Sequence, residues 1–171
     1  MNKLTIFFIY ALTINFLFPA LFPTLNLLFF APFIILSFYN TNKINVLWLA
    51  LLCGLIVDLL STHTRIGFYA LNYCLTAWIL YPQKVHFFED SFSTLPIMTF
   101  LFSITSTFIQ VFLFYILGQG ILFSWELIQN DFIWLPIIDA IYAALAFTIP
   151  YLFYPKTSKR APKYFTKKNF S

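Results

Sequence analysis

Two carboxylates stand where carboxylates are costly. Asp58 and Asp139 each lie inside a long apolar run, and a carboxylate in hydrocarbon costs about 3 kcal/mol or more. Three kinds of chemistry would justify them. Two acids close enough to share a proton would form an aspartyl dyad. Either acid could pair with Arg65, a few residues beyond Asp58. Asp58, near the end of its run, could instead reach interfacial water. Gly54 lies four residues before Asp58, on the same helix face, where it lets another helix approach beside the carboxylate. Other catalytic signatures are missing: no HExxH, no Walker loop, no nucleophile elbow and no paired Cys. His63 and His86 fall in the gaps at opposite ends of one apolar run, too far apart to share a metal. Cys53 and Cys74 have no metal-ligand spacing and read as small packing residues. No cofactor and no enzyme activity are expected.

The elements that must position these residues are membrane helices. The chain is 61% hydrophobic and 9% charged, where a soluble domain carries roughly a quarter charged residues. Its cations are also sorted. Lys3, Lys43, Lys84 and the tail residues Lys156, Lys159, Arg160, Lys163, Lys167 and Lys168 fall on one side of a consistent threading, and Arg65 alone falls on the other. Lys and Arg resist translocation, so the crowded side is cytoplasmic. The expectation is an all-α, polytopic bundle of about six transmembrane segments in one domain over 1–155, with both termini cytoplasmic. A basic cytoplasmic tail follows over 156–171, serving as topology signal and attraction to anionic lipid. Nucleic acid is not expected as a partner. The apolar run near the N-terminus lacks a small-x-small cleavage site and is kept in the mature protein.

A crossing needs about 20 apolar residues. Residues 4–39 are too many for one crossing, and Pro19 and Pro23 divide them. Segments 4–18 and 24–39 are therefore two thin crossings or a re-entrant hairpin. Four more segments follow at about 46–60, 67–81, 93–117 and 132–154. Small residues Gly67, Ala70, Cys74 and Ala77 share one face of the fourth, suited to close helix packing. Thr99, Ser103, Ser106 and Gln110 line one face of the fifth, where hydroxyls often bond their own backbone. Asp139, Ala143, Ala146 and Pro150 share a face of the sixth.

Gly54-Leu55-Ile56-Val57-Asp58-Leu59-Leu60-Ser61, then Arg65-Ile66-Gly67-Phe68-Tyr69-Ala70-Leu71, resembles the signature region of the rod shape-determining protein MreD family. There a Gly, apolar residues, an Asp and a short polar turn precede a Gly that opens a helix with an aromatic-Ala-Leu start. Length, segment count, the short N-terminal pair and the basic tail are similar as well. The resemblance implies a non-enzymatic component of the bacterial inner (cytoplasmic) membrane, within the cell-elongation machinery that organises peptidoglycan synthesis. Implied partners are MreC, the actin-like MreB, and RodA with its transpeptidase. Gly54, Asp58, Arg65, Gly67 and Asp139 are then the packing and partner-contact residues. An alternative is the substrate-binding subunit of an energy-coupling-factor vitamin transporter, with which that family is compared in fold. Against it, Ala11 is followed four residues on by Asn15 rather than Ala. An aspartyl intramembrane protease is the third reading, and Pro136-Ile137-Ile138-Asp139-Ala140 lacks the Asn that the lipoprotein signal peptidases place near their catalytic acids.

Overall fold

A computed structural model of the chain describes residues 3–21, 27–61, 66–86, 94–117 and 129–148. Arg65, Pro150 and the basic tail lie outside them. The described residues form six α-helices and no strand: α1 Lys3–Leu21, α2 Ala31–Asn40, α3 Lys43–Leu60, α4 Phe68–Leu80, α5 Thr94–Ile116 and α6 Leu135–Ala143. A 3-10 helix, Tyr81–His86, continues α4, and π-helical turns Asn130–Trp134 and Ala144–Thr148 flank α6.

Three of these stretches are long and apolar enough to cross a membrane: Lys43–Leu60, Thr94–Ile116 and Asn130–Phe147. The apolar part of α1, Leu4–Leu17, and α2 are shorter. The surface agrees with a lipid setting. Trp48, Leu59, Trp78, Phe108, Phe112 and Leu145 are all more than half exposed, more large apolar side chains than a water-facing surface favours.

The N-terminal pair departs from its sequence reading. α1 runs on through Pro19 instead of stopping before it, at the loss of the N–H that would bond the Asn15 carbonyl. Among the described residues of the second segment, the helix starts at Ala31. Residues 27–30 form a turn, with Phe29 N–H bonding the Leu27 carbonyl and Ala31 N–H bonding Leu28. Pro32 sits in the first turn of α2, where its missing N–H leaves no orphan donor. Pro136 acts differently. It lies just inside α6, and the preceding turn widens so that Leu135 N–H reaches back five residues to Asn130. That π-turn absorbs the clash a proline ring makes with the carbonyl four residues earlier.

α3 packs chiefly on α4, and α5 chiefly on α6, while α5 also meets α4 and α2. The core between them is aromatic. Phe30, Phe33, Phe38, Tyr73, Phe102 and Phe147 are fully buried. Tyr73 meets Phe102 edge-on at 5.9 Å, and Phe8 meets Phe33 at 5.3 Å, separations at which ring pairs attract.

Candidate functional site

Asp58 is the last polar residue of α3 and is only 2% exposed. Among the described residues its carboxylate is bonded entirely to main chain. Oδ2 accepts from the N–H groups of Gly67 and Ala70, each at 3.0 Å, and Oδ1 accepts from Tyr69 N–H at 2.9 Å. These are donors of the first turn of α4, which have no partner inside their own helix. Gly67 is the N-cap residue of α4, with φ +95°. That conformation is open to Gly and strained for residues with a Cβ. Gly67 has no side chain to cap the helix, so Asp58 supplies the oxygens from nine residues earlier. A negative group at a helix N-terminus is also favoured by the helix dipole.

Gly54 makes the approach possible. A Cβ at Gly54 would overlap the Ala70 Cα and come within 2.6 Å of the Tyr69 carbonyl oxygen and 2.7 Å of Ala70 N. α4 thus begins directly on the backbone of α3. The small face of α4 continues the contact, with Ala70 and Ala77 buried and Cys74 half-buried. The helix that Gly54 admits beside the carboxylate is this chain's own α4. Asp58 is not dissolved in interfacial water, because its oxygens are taken up by three amides.

Asp139, on α6, is fully buried. Oδ2 accepts from Ser103 Oγ at 2.6 Å, and Oδ1 from Leu28 N–H at 3.0 Å. One carboxylate therefore joins α6 to α5 and to the turn leading into α2. Tyr142, one turn on, places its hydroxyl 3.5 Å from the Phe29 carbonyl of that turn. The two acids hold separate sets of partners, and no hydrogen bond joins them among the described residues. That geometry gives an aspartyl dyad no shared proton. No cluster of metal-ligating side chains occurs among the described residues. The Arg65 ion pair expected with either acid falls outside them.

The hydroxyl stripe of α5 divides in two. Thr99 bonds its own backbone at Leu95, as expected of such residues, whereas Ser103 and Ser106 reach other helices. Ser106 Oγ accepts from Asn72 Nδ2 of α4 at 2.9 Å, and Thr76 bonds the Asn72 carbonyl at 2.7 Å. Asn72 and Thr76 are fully buried. An Asn and a Thr four apart on an apolar helix share a face, which is the one signal of this pair in the sequence. Lys84, which the charge pattern presents only as a topology signal, also has internal partners. Its Nζ donates to the Phe38 carbonyl of α2 at 2.9 Å and to Tyr81 Oη at 2.8 Å. Leu28 carried no signal at all, since its part is played by a main-chain N–H.

No family model, no curated protein and no solved structure matches this chain.

Proposed function

We propose that the protein is a non-enzymatic, MreD-like component of the bacterial cell-elongation machinery. In this reading it is a multi-pass protein of the cytoplasmic membrane with six crossings and both termini inside. It works by presenting a rigid helical surface to MreC and to RodA with its transpeptidase, and through them to MreB. One observation carries the reading. The residues on which the resemblance rests, Gly54, Asp58 and Gly67, act as a single joint: Asp58 binds the turn that Gly67 opens, and Gly54 admits it. A motif that builds a joint suits a scaffold. Both carboxylates are occupied by internal donors, which supports a structural role over a catalytic one.

Co-purification in mild detergent tests the proposal. The full chain, tagged and expressed in its own host, should bring down MreC or the RodA–transpeptidase pair. Recovery of a coupling ATPase pair would replace the proposal with the vitamin-transporter reading. Recovery of neither set would remove the partner claim.

A further inference from the structure

We propose that α2, a helix half as long as the bilayer core is thick, is held at its two ends by side chains of opposite charge, Asp139 at its entry and Lys84 at its exit. At 10 residues it is about 15 Å long, half of a bilayer core of about 30 Å. Seven of those residues are buried: Ala31, Pro32, Phe33, Ile34, Ile35, Ser37 and Phe38. Such a helix begins inside the bundle, out of reach of water. The unpaired main-chain groups at its ends then need partners from the protein itself.

Each end has one. At the entry, Asp139 Oδ1 takes the Leu28 N–H, while Ser103 fixes the other oxygen. The carboxylate is thereby locked against the turn that starts the helix. At the exit, the Lys84 ammonium binds the Phe38 carbonyl, one of the last four carbonyls of α2. It is steadied by the Tyr81 hydroxyl and by the Tyr81 ring, whose centroid is 4.0 Å away. The Phe38 and Tyr81 rings meet edge-on at 5.7 Å. The signs match the helix dipole, anion at the start and cation at the end. The two clamps come from α6 and from the 3-10 helix after α4, elements far apart in sequence. Neither charge belongs to α2, so each end can be released separately while α3 and α5 stay packed.

Hydrogen exchange on the full chain in lipid nanodiscs reads this directly, because the Leu28 amide is itself the clamped group. Asp139→Leu should speed exchange over 27–34 by roughly tenfold or more and leave α3 protected. Asp139→Asn keeps an acceptor for that amide and should restore most of the protection. Lys84→Met should speed exchange over 37–41 only, and Lys84→Arg should restore it. Should Asp139→Leu fail to insert, Asp139→Asn and the Lys84 pair still decide. Unchanged exchange at the clamped end, or equal loss across all helices, overturns the proposal.

Discussion

Gly54 rests on the backbone of Ala70, so closely that a single added methyl would fall 2.7 Å from the Ala70 nitrogen. That nitrogen is also a donor to Asp58. Side-chain bulk at Gly54 therefore breaks the joint in two ways, by pushing α4 away and by pulling its amides off the carboxylate. Gly54→Ala should destabilise the protein by about 2 kcal/mol or more, beyond the usual cost of overpacking because main chain has to shift. The check is thermal or denaturant unfolding in detergent against the parent protein. Gly54→Leu should lower the stable yield further. Parent-like stability in both would mean that α4 does not start there.

Asp58 separates charge from hydrogen bonding. Asp58→Ala leaves three amides of α4 without an acceptor, each worth about 1–3 kcal/mol when buried. Asp58→Asn keeps one oxygen but turns an NH₂ group toward donors, so it should fall between parent and Ala. The expected order of stability is Asp, Asn, Ala, read as melting temperature and as abundance on an immunoblot. Equal behaviour of Asn and Ala would remove the capping role.

Gly67 tests conformation without sterics. A Cβ there meets nothing within 4 Å, yet φ is +95°. Gly67→Ala should therefore cost roughly 1 kcal/mol from backbone strain alone. Gly67→Asn, which tolerates left-handed conformations better, should cost less. The same unfolding measurement ranks the two. A larger loss with Asn than with Ala would mean that side-chain crowding, not φ, selects the glycine.

The threading predicts that reporter fusions after Ser171 and after Arg65 give opposite signals, because nine of the ten Lys and Arg residues fall on the C-terminal side of the membrane. A translocated C-terminus would remove the six-crossing reading while leaving the joints of α3–α4 and α5–α6 untouched.

Composition and periodicity determined the helical, apolar character of this chain and where most helices begin and end. The start of α4 at Gly67 and the ends of α3 and α5 could be read from polar turns alone, since turn chemistry is local. The importance of Asp58 and Gly54 was legible too, because an acid in an apolar run is conspicuous whatever it binds. What they bind was not. The amides of Tyr69 and Ala70, the amide of Leu28 and the carbonyl of Phe38 are main-chain groups, identical at every position and silent in sequence. Only the folded arrangement decided which of them Asp58, Asp139 and Lys84 reach. The shortening of α2 was hidden for the same reason. Apolar residues continue without a break through 27–30, yet these residues form a turn, and its Leu28 amide is bonded by Asp139, 111 positions away.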